Sequence, residues 1–219
     1  MALKTFQNLS SDRQEEILMA SFEEFALKGY QSASLSEIIK KLGLAKGSFY
    51  RYFTNKKELY SYLIEESSKR RLSNLEVLLN DPDIDFFVLL KQNFLEKVRF
   101  DIENPLIGGF LYKIMHEKDT SEVSGLIKNL YGRLIEQTKQ ILMLEKFKKQ
   151  LTVTDPELVA FQIFNTQLWL YDYVAYKFGI DYEQNIRNRK PVLDLPLKEL
   201  EQIIEMSVDM LRNGIKASE

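Results

Sequence analysis

Residues 34–59 restrict the fold of this chain more than any other stretch, because they encode two short helices joined by a tight turn. Ser34 and Glu37 have the spacing of a capping box, in which each side chain accepts a hydrogen bond from a backbone N–H at the start of a helix. Apolar residues recur at helical spacing from Leu35 onwards, and Gly43 supplies the left-handed residue that ends a helix. A helix from Leu35, followed by a turn of about three residues, is typical of a helix-turn-helix unit.

The second helix of this unit is predicted from Lys46 to about Phe53, and its two faces differ. Successive residues turn by about 100°, so Phe49 and Phe53 share one side, where we expect them to anchor the helix to a small domain. The other side carries donors and little bulk. Gly47 in the first turn costs up to about 1 kcal/mol relative to Ala. Close approach to a phosphate or a base edge would offset that cost, and tight packing against a neighbouring helix is the alternative.

Positive charge is concentrated in the same part of the chain. Residues 34–57 contain six basic side chains and one acidic one, 6 − 1 = +5, whereas the whole chain has 30 − 32 = −2. Lys56 and Lys57 also follow Asn55, a good helix cap, and so lie in a first turn where the helix dipole disfavours cations. A nearby polyanion would remove that conflict, and charge segregation of this kind is typical of phosphate binding. The alternative is a solvated charged face.

Residues 34–59 resemble the DNA-binding domain of the TetR family of transcriptional repressors. In that family a Ser or Thr starts the first helix of the motif, a Gly ends it, and Lys-Gly-Ser/Thr, an apolar residue and several aromatic residues precede a Lys-Glu-Leu helix start. The matching residues are Ser34, Gly43, Lys46, Gly47, Ser48, Phe49, Tyr50, Arg51, Tyr52, Phe53, Lys57, Glu58 and Leu59. Upstream, Ile17, Phe22 and Phe25 fit the same pattern, so the resemblance covers roughly the first 60 of 219 residues.

The resemblance implies an N-terminal three-helix domain that binds a double-stranded DNA operator. We expect phosphate contacts from Lys46, Tyr50, Tyr52 and Lys56, and we expect Gly47, Ser48 and Arg51 to lie nearest the base edges. Ser34, at the start of the first motif helix, completes the predicted set. Ala45 departs from the family pattern, which places a Ser or Thr cap there, so a cap contribution of about 1 kcal/mol is missing.

Composition excludes several classes of function. The chain has no cysteine, which removes disulfides, thiolate metal sites and cysteine nucleophiles. His116 is the only histidine, so neither a Ser-His-Asp arrangement with a spare base nor a His-rich cluster can be built. We therefore expect no enzymatic activity, no cofactor and no metal site. The N-terminus lacks the apolar core of a signal peptide, and no apolar run approaches about 18 residues, so we expect a cytoplasmic protein with no membrane partner.

Few helix breakers interrupt the chain, which contains five prolines and nine glycines. Apolar residues recur every three or four positions between them, and this periodicity predicts an all-α fold. The helices expected outside the motif span about 11–27, 56–79, 85–103, 105–116, 121–147, 156–179 and 196–214. Residues 180–195 show no sustained period and are predicted to form a loop, either mobile or functional at this length.

We assign residues 1–55 to the helix-turn-helix DNA-binding domain and residues 56–219 to a larger helical domain for ligand binding and dimerisation. The helix over 158–178 is apolar on nearly every side and must be buried on nearly every side. The last helix repeats apolar residues like a coiled-coil seam, formed by Leu197, Leu200, Ile204, Val208, Leu211 and Ile215. Pairing of the helices near 156–179 and 197–214 with their two-fold mates would give a four-helix bundle and a homodimer. A monomer that buries both helices in its own core is the alternative.

Large aromatic residues in the second domain alternate with polar groups that would need partners if buried. An apolar cavity that orients a small molecule with a few polar groups explains both features. The predicted ligand-binding residues are Phe94, Phe110, Tyr112, Met115, His116, Gln167, Trp169 and Tyr173. For His116 alone, an ordinary satisfied or surface histidine is the alternative. The expected effector is small and largely apolar or aromatic.

Gly108 and Gly109 lie in the opening turns of the helix over 105–116 and together cost up to about 2 kcal/mol of helix stability. Such a helix start can shift easily, and the resemblance implies that an effector moves this helix and swings the DNA-binding domains apart. A close helix crossing at the two glycines is the alternative. The predicted function is a ligand-responsive repressor that binds a palindromic operator as a homodimer. The alternative is a helical protein-interaction module that keeps the helix-turn-helix shape without operator binding.

Overall fold

A computed structural model describes residues 4–71, 75–117 and 122–215, and its regular elements are helices. Across these residues no β-strand forms, which confirms the predicted all-α fold. None of the described helices combines the length and the apolar character needed to cross a bilayer. In chain order the helices are α1 (Lys4–Gln7), α2 (Ser11–Ser32), α3 (Leu35–Lys41), α4 (Lys46–Tyr50), α5 (Lys56–Arg70), α6 (Leu75–Leu79), α7 (Phe86–Glu103), α8 (Pro105–His116), α9 (Ser124–Leu142), α10 (Glu145–Lys148), α11 (Pro156–Phe178), α12 (Tyr182–Arg187) and α13 (Leu197–Ile215).

The helices pack into two compact units, and neither unit is one continuous segment. The first takes its described residues from Met1–Arg71, Asp101–Ile127 and Tyr182–Val192. The second takes them from Leu72–Phe100, Lys128–Asp181 and Leu193–Glu219. Residues 1–55 lie within the first unit, but so do α5, α8 and α12. The predicted boundary after residue 55 is thus not where the compact units divide, and a domain of residues 1–55 stays a prediction.

The helix-turn-helix forms largely where the sequence predicts it. Helix α3 begins at Leu35, and Gly43 follows it with φ of 61°, the left-handed conformation expected there. Helix α4 begins at Lys46 but spans five residues and ends at Tyr50, earlier than predicted. Phe49 and Phe53 are fully buried, which confirms their predicted anchoring role.

The predicted capping box at the start of α3 is wrong. The Ser34 side chain makes no cap hydrogen bond, and its backbone N–H instead donates to Glu24 Oε1 of α2 at 2.8 Å. A related arrangement forms at α5, where Asn55 Oδ1 accepts the Glu58 N–H at 2.8 Å. The Glu58 carboxylate in turn accepts the N–H and the hydroxyl of Thr54 at 2.6 and 2.7 Å. The predicted Asn55 cap is therefore confirmed.

Several predicted helix bounds also need correction. The helix expected over 56–79 ends at Arg70, and α6 follows as a separate short helix. The helix expected over 121–147 divides into α9 and α10, and its predicted start at Ser121 lies outside the described residues. The loop expected over 180–195 contains α12, whose Ile186 is buried. Helix α2 continues past its predicted end at 27 to Ser32, across a kink at Gly29.

The core of the first unit joins α8 to the helices around the DNA-binding motif. The ring of Phe110 lies 5.2 Å from that of Phe22 and 5.4 Å from that of Tyr60. Phe25 packs against the same group, 5.1 Å from Tyr60 and 6.3 Å from Phe110. All four side chains are almost fully buried. Because these rings come from α2, α5 and α8, the three helices share one core.

The two glycines of α8 lie at close contacts. A Cβ built on Gly108 would lie 3.0 Å from Asp101 Cβ and 3.1 Å from its Cα and carbonyl oxygen. A Cβ on Gly109 would lie 2.8 Å from Ile186 Cδ1 of α12. These distances are shorter than ordinary van der Waals contact, so the close crossing explains the glycines without a helix start that shifts.

In the second unit, α11 and α13 pack against each other. The predicted seam of α13 does not face outward, because Leu200, Ile204 and Val208 are at most 3% exposed within the chain itself. Instead, Met206 and Met210 of α13 are exposed. The seam prediction is therefore wrong for Leu200, Ile204 and Val208, which stabilise this unit's own core, whereas Leu197, Leu211 and Ile215 are half-buried.

Gly108→Ala is expected to destabilise the protein. Alanine is favoured over glycine in a helix by up to about 1 kcal/mol, but the new Cβ would meet backbone atoms of Asp101. Overpacking of this kind typically costs about 1–3 kcal/mol, so the midpoint of thermal unfolding followed by circular dichroism should fall. Gly132→Ala in α9 is the control, because an added Cβ there meets no heavy atom within 4 Å. That variant should gain roughly 0.5–1 kcal/mol, and a similar gain from Gly108→Ala would contradict the close crossing.

Candidate nucleic-acid interface

The outer face of α4 presents donors to solvent. Lys46, Gly47, Tyr50 and Arg51 are exposed, while Ser48 is half-buried beside the buried Phe49. A Cβ built on Gly47 would meet no heavy atom within 4 Å, so among the described residues nothing packs against this glycine. The glycine therefore leaves an open approach to the backbone of α4, with a lysine before it and an arginine after it.

The positive charge of the motif is only partly neutralised. Lys41 pairs with Glu23 of α2. Within the described ranges, Lys40, Lys46, Arg51 and Lys57 form no ion pair. The excess charge predicted from the sequence is thus present at the surface around α4 rather than cancelled by neighbouring acids.

Lys56 is engaged within the protein, which the sequence analysis did not foresee. Its amine donates to the carbonyl oxygens of Gln31 and Ala33, each at 3.1 Å, at the end of α2. It also lies 4.7 Å above the centre of the Tyr30 ring. A cation is favourable at a helix C-terminus because it offsets the negative end of the dipole. This arrangement accounts for the position of Lys56 without DNA, and its phosphate contact stays a prediction.

The short N-terminal helix α1, which the sequence did not predict, holds the end of α4. The Thr5 hydroxyl donates to the backbone carbonyl of Arg51. Phe6 is fully buried, with its ring 5.0 Å from that of Phe53 and 6.2 Å from that of Tyr52. Tyr52, predicted to contact phosphate, is half-buried. The signal for this segment was a single phenylalanine before the Ser10 cap, too little for a periodicity argument.

In the first unit, the predicted ligand residues are four side chains of α8. Phe110 belongs to the shared aromatic core described above. The His116 ring lies 4.0 Å from that of Tyr112, and its Nδ1 lies 2.9 Å from the Tyr112 carbonyl oxygen. Tyr112 is also 4.2 Å from the ring of Tyr182 in α12, and Met115 is half-buried. These contacts fit the ordinary, satisfied histidine considered above, and a ligand contact of His116 stays a prediction.

In the second unit, the predicted ligand residues differ widely in exposure. Phe94 is buried, and Gln167 Oε1 accepts a hydrogen bond from Lys97 Nζ at 2.9 Å. Trp169 is 69% exposed and Tyr173 is 46% exposed. Lys97 of α7 was not among the predicted residues. It is a half-buried cation that contacts α11 through Gln167. Nowhere in the described ranges do three His, Asp or Glu side chains group closely enough to hold a metal ion.

Comparison with known proteins gives consistent results. The profile described as "Bacterial regulatory proteins, tetR family" matches residues 17–63. An uncharacterized HTH-type transcriptional regulator of Bacillus subtilis strain 168, YvdT, is 37% identical over 81 residues, which cover 37% of this chain and 41% of that protein. A second regulator of the same strain, YdgC, is matched over 43% of its length. The chain therefore aligns with about two fifths of these curated relatives.

Solved structures resemble the chain over nearly its whole length. A TetR family transcriptional regulator from Chloroflexus aurantiacus J-10-FL superposes with a TM-score of 0.73, at 23% identity, over 100% of both chains. The SmeT–triclosan complex superposes with a TM-score of 0.68, at 15% identity, over 95% of this chain and 93% of that one. At these identities the likeness shows the fold.

Glu58→Gln should change how acid affects stability. Burial raises the pKa of the Glu58 carboxyl and hydrogen bonds from the N–H and hydroxyl of Thr54 lower it, and the net result is a pKa below its ordinary value of 4.5. A lowered folded pKa stabilises the protein above the unfolded value, and this contribution is lost as pH falls through the folded pKa. The wild type should therefore unfold at a higher temperature than Glu58→Gln at neutral pH, with the difference shrinking below about pH 4. Glu37→Gln, at an exposed position of α3, is the control, and an equal pH dependence in both variants would contradict the role of Glu58.

Proposed function

Because this chain belongs to the tetR family of bacterial regulatory proteins, we propose that it is a repressor that binds a palindromic operator as a homodimer and is released by a small effector. The observation that carries the proposal is the outer face of α4. Lys46 and Arg51 flank an open glycine there, and no ion pair with a described residue neutralises either of them. A DNA partner also implies a cytoplasmic protein.

Lys46 at the start of α4 and Arg51 directly after its end suit different parts of DNA. Lys46 is a compact point charge at the start of the helix and fits a phosphate contact. Arg51 presents a planar guanidinium that can bond a guanine edge through two N–H groups. Tyr50 and Ser48 add hydroxyl donors on the same short helix. The N-terminal segment supports this assignment, because the Thr5 hydroxyl binds the Arg51 carbonyl and the Phe6 ring packs against the ring of Phe53.

The proposed dimer interface is an exposed apolar stripe along α11. At about 100° per residue its members lie within about 120° of one another around the helix. They are Leu158 (54% exposed), Phe161 (48%), Trp169 (69%), Tyr173 (46%) and Tyr176 (88%). Met206 and Met210 of α13 are also exposed, at 53% and 78%. Exposed large apolar side chains on one helix face favour an interaction site, although Gln162, Asn165 and Asp172 lie on the same face. Pairing of α11 and α13 with their two-fold mates would bury these side chains in a four-helix bundle.

A dimer is needed because α4 is short. One five-residue helix offers few contacts, whereas a palindromic operator is matched by two recognition helices about 34–36 Å apart on one face of the duplex. Doubling the contacts in this way also doubles the phosphate charge that the protein neutralises, and so raises both affinity and salt dependence.

We propose an effector that is small and largely apolar or aromatic. Four of the eight candidate residues lie in each unit, so two separate sets are proposed. They are Phe110, Tyr112, Met115 and His116 in the first unit, and Phe94, Gln167, Trp169 and Tyr173 in the second. In the second unit Lys97 and Gln167 would supply the polar contact and Phe94 the apolar one. Trp169 and Tyr173 fit the dimer interface better than a ligand enclosed in one subunit, since both are exposed. That SmeT is known with triclosan supports a small-molecule site in this fold.

A helical protein-interaction module is the second candidate function. The exposed apolar stripe of α11 would then cover a different protein, and the surface of α4 would bind no DNA. Retention on duplex DNA separates the two candidates, because a repressor binds at low salt and releases as salt rises. A chain that is not retained on duplex DNA at low salt would overturn the repressor assignment.

The first prediction of this function concerns DNA contacts. Duplexes that the wild type retains from a random-sequence pool serve as the operator. Lys46→Ala should weaken binding to every sequence and lower the salt slope by about 0.9 for each lost phosphate contact, or about 1.8 for a dimer. Arg51→Ala should relax the preference at one base pair per half-site by about 1–3 kcal/mol.

Lys139→Ala is the control for both variants. It removes the same charge from α9, where Lys139 pairs with Glu136, and it should leave the affinity and the salt slope unchanged. Lys56→Ala tests the amine that is bound to the end of α2. Weaker DNA binding with an unchanged salt slope would indicate that Lys56 positions the helix-turn-helix. A reduced salt slope would indicate that Lys56 contacts a phosphate. Unchanged binding by Lys46→Ala and Arg51→Ala together would contradict the DNA interface on α4.

The second prediction concerns assembly. Trp169→Glu and Tyr176→Glu place charges in the exposed stripe, so both should convert the dimer to a monomer in sedimentation equilibrium at micromolar concentration while the helical signal persists. Val77→Glu is the matched control, since Val77 is an apolar residue on α6, 69% exposed and outside the stripe. Val208→Glu should instead unfold the second unit, because Val208 is buried within one chain. A wild-type monomer at this concentration would refute the dimer.

A further inference from the structure

We propose that Glu117 is a positioning residue for DNA binding, which fastens the end of α8 to the kinked end of α2 and to α5. The proposal rests on the proposed function, since it identifies a residue that transmits a movement of α8 to the helix-turn-helix. Glu117 directly follows α8, and its carboxylate accepts the Tyr30 backbone N–H and the Tyr60 hydroxyl. One side chain thus connects three helices of the first unit.

The kink in α2 creates the need for this carboxylate. Gly29 has φ of 67° and ψ of 177°, so the helical hydrogen-bond pattern of α2 is interrupted there. Tyr30 begins a final turn, which closes with the Ala33 N–H donating to the Gly29 carbonyl. The Tyr30 N–H is at the start of that turn, where a helix leaves its N–H groups without partners inside the helix. Oε1 of Glu117 accepts this N–H, as a capping residue would, although it comes from a different helix.

Gly29 also leaves room for the carboxylate. A Cβ on Gly29 would lie 3.0 Å from Glu117 Oε1, and the positive φ disfavours any other residue. The second oxygen, Oε2, accepts the Tyr60 hydroxyl at 2.7 Å. Tyr60 is 1% exposed and belongs to the aromatic core that contains Phe110 of α8. The polar contact and the apolar core therefore join the same helices.

From Tyr30 the contacts continue to the start of the helix-turn-helix. The Tyr30 ring lies beneath the Lys56 amine, and that amine bonds the carbonyl oxygens of Gln31 and Ala33. Ala33 and Ser34 lead directly into α3, and the Ser34 N–H bonds Glu24. The turn between α2 and α3 is thus held by side chains of Glu117, Lys56 and Glu24. A displacement at the end of α8 would act on this turn through Glu117.

The first arm of the test uses hydrogen exchange without DNA. In Glu117→Ala the amides of residues 30–33 should exchange at least about tenfold faster than in the wild type, because a buried N–H loses its charged acceptor. Amides of α11, in the other unit, should not change. Glu103→Ala removes a carboxylate at an exposed position of the first unit and is the control. Unchanged exchange at residues 30–33 in Glu117→Ala overturns the proposal.

Tyr60→Phe provides a second variant in case Glu117→Ala does not fold. It removes one of the two hydrogen bonds of the carboxylate and keeps the core aromatic. We expect exchange in the last turn of α8 to accelerate by about threefold to tenfold, as the loss of one hydrogen bond to a charged group predicts. Exchange equal to the wild type in a folded Tyr60→Phe would overturn the connection to α5.

The second arm tests transmission with the duplex selected by the wild type. Coupling between two sites is reciprocal, so DNA binding should slow exchange in α8 of the wild type and do so at least about threefold less in Glu117→Ala, with α4 still protected. A purely structural role would lower stability without removing this response. Equal protection of α8 by DNA in both proteins overturns the transmitting role. If the wild type retains no duplex, the proposed function fails, and the first arm alone decides whether Glu117 orders the turn before α3.

Discussion

The packing of Phe110 against Phe22, Phe25 and Tyr60 is the contact on which the rest of the first unit depends. A fully buried aromatic side chain contributes roughly 1.5–3 kcal/mol, so four such rings from three helices form much of the core of a small unit. The recognition helix α4 is too short to bury much surface itself. It is held through Phe49 and Phe53, and their unit has α8 in its core. The position of the surface on α4 therefore depends on the position of α8 in the same core.

The glycines of α8 give this connection its stiffness. Gly108 allows Asp101 to approach, and Asp101 is 1% exposed and paired with Arg71 at the end of α5. Gly109 in turn allows the Ile186 side chain of α12 to approach α8. An element packed this closely moves as a whole rather than deforming at its start, since interiors near crystal density transmit displacement. The small residues therefore favour transmission by a rigid helix over a flexible helix start.

Local signals in the sequence predicted local structure, and they failed where a distant residue intervened. Leu35, Gly43 and Asn55 have the predicted roles because each depends on its near neighbours in the chain. At Ser34 the predicted capping box does not form, and Glu24, ten residues earlier, accepts the Ser34 N–H in place of Glu37. The apolar repeat of α13 gave the correct helix but could not show which apolar residues its own unit would bury. The α1 segment was missed because one buried side chain, Phe6, holds it in place. Helix α12 was missed because its two buried residues, Tyr182 and Ile186, are too few to show a sustained period.

The contacts of Lys56 within the protein bear on which cations supply affinity for DNA. Its amine stabilises the end of α2, whereas Lys46 at the start of α4 and Arg51 directly after α4 make no ion pair with a described residue. A helix of five residues offers few phosphate contacts, and at physiological salt each contact is weakened by competing counterions. The proposed dimer would double these contacts, and the exposed apolar residues of α11 are the surface proposed for it. In the proposed dimer both half-sites are contacted together, so a small change in the placement of α4 would weaken operator binding. The proposed role of Glu117 is to fix that placement through the turn before α3.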